Sequence, residues 1–316
     1  MTGGARRAML QVAIVAAVTA LIGALIAHAL AAQRARGIQA GFGFLSQPAG
    51  FEIGEGWLSY DAQRSFGRAF AVGLVNTVRV ALPAIFLSTV LGTLIGLGRL
   101  VRYAPARAVC TGYVELIRNV PLLVQLLMWY FALTSLLPDA GEPWRLPGGA
   151  FLSKGGLAFP WPGLGRPVVG PFNVSGGTAL TPEFLAVLAA LSVYTAAFIA
   201  EVVRAGVQSV SIAQVQAAQA QGLRPLQVTR HVVMPQALRV IIPSLTNQFL
   251  NLTKNSTLGV AVGYPELVSI SNTTLNQTGR AFECVTIITA LYLALSLLTA
   301  ALMGRGNARI TLRGAA

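Results

Sequence analysis

The chain has 316 residues, 54% of them hydrophobic and 10% charged, and a mean hydropathy of +0.66. That lies outside the range of soluble globular domains and places the chain in the lipid bilayer. The net charge of +13 does not indicate a nucleic-acid partner, because Lys and Arg cluster at the ends of apolar runs instead of forming a stripe interleaved with aromatics. Cys110 and Cys284 stand too far apart to define a disulfide framework or a metal pattern.

In chain order, Arg6 and Arg7 precede an apolar run from Ala8 to Ala32. Ala27-His28-Ala29 has the A-x-A spacing of a cleaved leader, but the run is too long for one and reads as an anchor helix. His28 within it reads as interfacial. Residues 33–67 form a mixed segment with Glu52, Glu55 and Asp61 set against Arg34, Arg36, Arg64 and Arg68. A second span is expected from Val78 to Gly98, with Arg79 near one end reaching toward the headgroups. Gly92 and Gly96, one helical turn apart, favour close helix packing, or simply reflect the glycine content of membrane helices. After the basic loop of Arg99, Arg102 and Arg107, a third segment is expected from Tyr113 to Pro138. Glu115 and Arg118 are spaced to pair at its start.

Residues 138–181 are too rich in Gly and Pro to span and read as an external loop. Thr181-Pro182-Glu183 is a helix start, with Thr181 as cap. A fourth span follows, Phe184 to Ala200, then a polar, basic loop, 205–239. Ile212 to Gln221 predicts a short helix, Gly222 its left-handed stop, and Pro225 the opening of a second helix ending near Pro235. Ala217 and Ala218 give the first of these a small-residue face that another protein can approach. A fifth span, Val240 to Val262, is unusually polar, and a sixth, Val285 to Met303, precedes Arg305, Arg309 and Arg313.

Gln216-Ala217-Ala218, Gly222 and Val232-Val233-Met234-Pro235, at their spacing, resemble the EAA loop of ABC importer permeases. Gln216 departs from the usual Glu, which puts any ion pair at that point in doubt. LRVIIPSLTNQFLNLTKNSTL, YVELIRNVPLLVQ and Asn76-Thr77 also resemble that family. FGFLSQPAGFEIGE resembles the extension of its general, or polar, L-amino-acid members. The resemblance implies an all-α type I permease fold with about six transmembrane helices. It divides the chain into an anchor and extension, 1–65, a permease domain, 66–304, and a basic cytoplasmic tail, 305–316. It makes 205–239 the coupling loop, with Gln216, Ala217, Ala218, Gly222, Pro225 and Pro235 facing an ATPase subunit. Further implied partners are a second permease chain, a second ATPase subunit and a periplasmic substrate-binding protein. Whether the permease pair is homo- or heterodimeric is left open.

Charge asymmetry tests this topology independently. With the N-terminus inside and six spans, the cytoplasmic side holds Arg6, Arg7, Arg99, Arg102, Arg107, Arg118, Arg204, Arg224, Arg230, Arg239 and the C-terminal arginines against only Glu115 and Glu201. The other side is balanced. The positive-inside rule therefore puts both termini and the coupling loop in the cytoplasm of a bacterial inner membrane.

No P-loop is present, since Lys154 follows Ser153 and Lys254 follows Thr253 instead of Gly. ATP and Mg are thus expected at the partner ATPase, and the chain is expected to bind no cofactor and to be no enzyme. HExxH, CxxC and GxSxG are absent, and His28 and His231 are far apart. The rival class, an ion-gradient-driven secondary transporter, needs carboxylates within the spans, whereas nearly all acids here lie at ends or in loops. The fifth span supplies the candidate path: Asn247, Asn251, Lys254 and Asn255 share a helical face. Lys254-Asn255-Ser256-Thr257-Leu258 matches the Lys-x-[Ser/Thr]-[Ser/Thr]-Leu stretch of the resembled permeases, and that resemblance adds Ser256 and Thr257 to the path. Lys254 either helps hold a substrate carboxylate, snorkels outward, or pairs with a carboxylate of a partner chain. The function expected is import of L-amino acids by alternating access.

Overall fold

The computed structural model describes residues 3–35 and 41–313. Among them, α1 (Gly3–Ala35) is the anchor, and none of its side chains from Met9 to His28 is buried. An apolar helix bare on every side is at home only in lipid or against another chain. The side chains of Arg6, Arg7, Arg34, Arg36, Arg309 and Arg313, used in the charge argument, lie outside the described residues.

Helix α2 (Phe66–Gly98) begins a full three turns before the expected span, capped by the Ser65 hydroxyl, which accepts from Arg68 N. Its 33 residues reach about 50 Å, well beyond the roughly 30 Å of hydrocarbon. The extra turns are covered by the extension. Phe44 is buried against Phe66, and Phe66, Phe70, Leu267, Ile270 and Tyr292 complete one hydrophobic cluster. Arg280 and Glu283 hold the Gly41 peptide from both sides: Gly41 N donates to Glu283 Oε1 and Gly41 O accepts from Arg280 Nη1, each at 2.8 Å. The extension is therefore bound into the body.

Arg79 does not reach toward headgroups. Its side chain is 5% exposed, and Nη1 lies 2.7 Å from Glu55 Oε1 of the extension, with the guanidinium over the rings of Phe184 and Trp57. Each of the two buried charges is compensated by the other, and either one left alone there would be strongly unfavourable. Burial raises the Glu55 carboxyl above its ordinary range, although the Thr181 hydroxyl and Arg79 pull it down.

The expected third span is two helices, α3 (Ala104–Asn119) and α4 (Leu122–Ser135), bent by 104°. The break is Val120-Pro121: a residue before proline is pushed out of the helical region, and Val120 sits at φ −101°, ψ 127°. Gln125 makes the bend possible, since its Nε2 donates to the freed carbonyls of Ile117 and Val120, each at 2.9 Å. The expected Glu115–Arg118 pair does not form among the described residues; Arg118 lies instead over the Phe198 ring at 5.2 Å.

Residues 138–181 fold into strands that the Gly and Pro content concealed. β1 (Trp144–Leu146), β2 (Ala150–Ser153), β3 (Gly156–Phe159) and β6 (Thr178–Leu180) form an antiparallel sheet in that order. β4 (Val168–Val169) and β5 (Val174–Ser175) pair separately. The β1–β2 turn takes Gly148 and Gly149 at φ +82° and +78°, which explains the glycine pair.

Helix α5 (Pro182–Gln208) starts on the expected Thr181 cap and runs eight residues past Ala200. It is packed on α2 so closely that a Cβ at Gly92 would lie 2.7 Å from Ala196 O, and one at Gly96 2.7 Å from Ala200 O. These two glycines thus serve close packing. After α6 (Ile212–Ala220) and α7 (Pro225–Val228), the chain does not break at Pro235. A π turn, Thr229–Val233, leads straight into α8 (Met234–Asn255). Pro235 has no N–H to return to the preceding turn, and the wide turn lies just where that bond is missing. The fifth span then ends as a 3-10 segment, Ser256–Val262. A short helix that the sequence does not announce, α9 (Leu267–Thr278), precedes α10 (Ala281–Arg313), which runs beyond Met303 into the basic tail.

Six membrane crossings result among the described residues: α1, α2, the bent α3–α4 pair, α5, α8 with its 3-10 end, and α10. Length and composition alone find four of these and the bent pair; α8 is too polar to register.

Candidate translocation cavity and coupling loop

The coupling loop shows how its sequence folds. Gly222 sits at φ +84°, with Gly222 N donating to Gln219 O and Leu223 N to Ala218 O. That double bond is the Schellman stop, which satisfies carbonyls the helix end leaves open. The stop throws the chain into α7, where Arg224 N donates to Gln227 Oε1 at 2.8 Å and Pro225 holds the first turn. Gln216, Ala217 and Pro225 are exposed, as a docking surface needs. Ala218 is not part of that surface: it is buried, at 7% exposure.

Above the loop, Glu201 of α5 binds two arginines. Its Oε2 is 2.5 Å from Arg99 Nη1 at the end of α2, and its Oε1 pairs with Arg204 one turn on.

On α8 the polar residues divide. Asn247, Asn251 and Lys254 are exposed, Asn255 and Thr257 half-buried, and Ser256 fully buried with its hydroxyl donating to Thr253 O. Ser256, expected on the path from the resemblance, is thus buried within the chain. Asn251 and Asn255 meet residues of α5 across a cavity of about 340 Å³ lined by Tyr194, Thr195, Phe198, Gln248, Asn251, Leu252 and Asn255. Lys254 does not line it. Thr195 is the middle residue of the 27-residue α5, so the cavity lies halfway through the span. The volume falls within the usual range for small-molecule sites.

Tyr194, Thr195, Phe198 and Gln248 were not singled out in the sequence. Thr195 and Gln248 were visible there as polar residues within spans, but only packing shows that they face one another. Two other recesses border the far end of α5. One is a polar cleft of about 390 Å³ lined by Glu52, Glu55, Glu183, Ser269 and Thr273, among others. The other is larger, about 580 Å³, and almost wholly apolar, between α2, α5 and α10. Neither places neutral donors and acceptors at mid-span, so the smaller cavity is the better site. Among the described residues no cluster of His, Cys, Asp or Glu could hold a metal.

A bent third span, a polar fifth span and a helix–Gly–helix loop between spans four and five define a transport permease. The chain belongs to the family of binding-protein-dependent transport system inner membrane components, whose sequence profile matches residues 88–312. It is 40% identical to the general L-amino acid transport system permease protein AapQ of Rhizobium johnstonii, over 91% of this chain and 88% of that one. It is 36% identical to the putative amino-acid ABC transporter permease protein YhdX of Escherichia coli K12, over 96% and 94%. A solved amino acid ABC transporter with histidines has a chain that superposes with a TM-score of 0.59 at 27% identity, covering 77% of this chain and 95% of that one. The chain is thus a permease subunit of the ATP-driven ABC type, not an ion-gradient transporter. It is not an enzyme, and ATP is hydrolysed by a separate chain.

Proposed function

We propose that this permease imports L-amino acids, of polar or broad range, through the cavity between α5 and α8. The observation that carries this is a mid-span cavity whose polar lining is wholly neutral. An amino acid presents an ammonium and a carboxylate together. The amides of Gln248, Asn251 and Asn255 each offer both an acceptor and donors, so they serve either end without a fixed charge that would oppose the other. Phe198 and Leu252 add apolar surface. The names of AapQ and YhdX support the substrate class.

Asn247, Asn251 and Lys254 are exposed on this chain within a span, where polar groups are expensive in lipid. The same face supports a second permease chain covering them and closing the open side of the cavity, with Lys254 on the path or paired across it. In this reading both termini and the coupling loop lie in the cytoplasm of a bacterial inner membrane. There Gln216, Ala217, Gly222, Pro225 and Pro235 shape the contact with a pair of ATPase subunits that bind ATP and Mg, with Ala218 buried behind it. A periplasmic binding protein delivers the substrate. Asn251→Leu and Asn255→Leu are expected to lower uptake of radiolabelled L-amino acids roughly tenfold or more at unchanged membrane abundance, since each leaves the substrate's polar groups unpaired. Wild-type uptake in both variants contradicts the assignment.

A further inference from the structure

Helices α2 and α5 are joined at three levels. At the coupling-loop end, Glu201 of α5 holds Arg99 of α2 at 2.5 Å. Next to it, over the last two turns of α2, Gly92 and Gly96 bring the two backbones together, leaving no room for a Cβ. At the far end the join is made by a residue of neither helix. Glu55 of the extension accepts from the Thr181 hydroxyl at 2.5 Å on Oε2 and meets Arg79 of α2 at 2.7 Å on Oε1.

Both contacts have a structural consequence. The Thr181 hydroxyl also accepts from Phe184 N, so the group that caps α5 is the group Glu55 holds. Arg79 lies over the ring of Phe184, at 4.8 Å, in the first turn of that helix. The Glu55 backbone is fixed in turn, because its carbonyl accepts from Asn76 Nδ2 of α2 at 2.9 Å. The same Asn76 amide donates to Pro265 O, at 3.0 Å.

We propose that Glu55 is a positioning residue for transport, pinning the far end of α5 to α2 so that the two move as one body. Resting on the cavity assignment above, this gives the extension a mechanical role, holding the α5 wall of Tyr194, Thr195 and Phe198 at a set distance from α8. Pro83 of α2 lies between the join at Arg79 and the glycine contacts, so the pin at Glu55 is what keeps the far ends of the two helices together beyond that proline. A stroke delivered at the coupling loop, which continues directly from α5, then moves both far ends together.

The test uses the complete transporter in native-host cells, with radiolabelled L-amino acids. Thr181→Val removes the hydrogen bond to Glu55, and the cap on Phe184 N with it, without stranding a charge. It is expected to raise the apparent KM for uptake roughly tenfold, as misplacing a binding wall does, while membrane abundance stays at the wild-type level. A second chain replaces Cys110 and Cys284 with Ser and carries Arg79→Gln, Glu55→Cys and Thr181→Cys. Reduced, it should show the same impaired uptake. Once a disulfide joins the two introduced thiols, it should recover, because a covalent pin replaces the lost one. Inhibition on oxidation, reversed by reductant, would overturn the proposal by showing that these ends must part during transport. So would an unchanged KM in Thr181→Val. The cavity assignment is judged separately by Asn251→Leu, so either can fail alone.

Discussion

Glu266, outside the spans, is a carboxyl held far from its ordinary state. It caps α9, accepting from Val268 N at 2.8 Å and Ser269 N at 2.7 Å, and it also accepts from the Tyr292 hydroxyl at 3.1 Å. Burial nonetheless dominates, and its carboxyl is pushed from 4.5 up to about 7. A carboxyl raised in the folded state binds more protons folded than unfolded between those two values. The stability it confers is full below about pH 4.5 and is lost as pH rises through about 7. The purified chain should therefore unfold at a higher temperature near pH 5 than near pH 8, and Glu266→Gln should flatten that difference, since a side-chain amide keeps one of the two capping bonds and does not titrate. An unaltered pH profile in the variant would assign the dependence to another group. Glu266 and Arg79 were hard to read from sequence for one shared reason. Their positions suggest a span terminus and a snorkelling cation, and nothing local announces that each is buried against a segment distant in the chain.

At the scale of elements, most of the boundaries were legible where a local rule decides them. Thr181-Pro182 starts a helix, and Gly222 stops one, because caps and left-handed stops depend on the residue at that position. The bend at Val120-Pro121 was half legible. The proline is in plain view, but a proline near the start of an apolar run is also compatible with a straight helix. The choice is made by Gln125, which satisfies the broken carbonyls and which hydropathy counts only as a blemish. Helix α9 and the strands within 138–181 were not legible. Short elements carry too few residues to establish a period, and the glycines that permit their turns look like disorder. The Gly222 stop yields a direct expectation. Alanine there costs about 1 kcal/mol of backbone strain, whereas Asn tolerates the left-handed region better. No neighbour lies within 4 Å of the missing Cβ, so strain and not crowding sets the order. Uptake should fall from Gly to Asn to Ala to Val, and Gly222→Val should uncouple transport from ATP hydrolysis while leaving the chain in the membrane. A wild-type ratio of amino acid moved to ATP consumed in Gly222→Val would show that this turn does not transmit the stroke.

Across the whole molecule, the exposed surfaces are those of a part and not of a finished machine. α1 is bare along its apolar length, Asn247, Asn251 and Lys254 present polar groups from within a span, and Gln216 and Ala217 stand out from the loop. Each surface finds its complement in one of the proposed partners: lipid or the second permease for the first, the second permease and the path for the next, an ATPase for the last. The candidate site follows the same pattern. Its α8 half was legible because amides within a span stand out, while its α5 half emerged only when packing set Thr195 opposite Asn251.

Purification of the chain from its native host in mild detergent, with copurifying proteins identified by mass spectrometry, tests the subunit assignment most directly. The expected result is an ATPase chain and a second permease in comparable amounts, with the binding protein then narrowing the substrate. A chain that purifies alone, and that by itself drives ion-gradient-dependent uptake in vesicles, would contradict it.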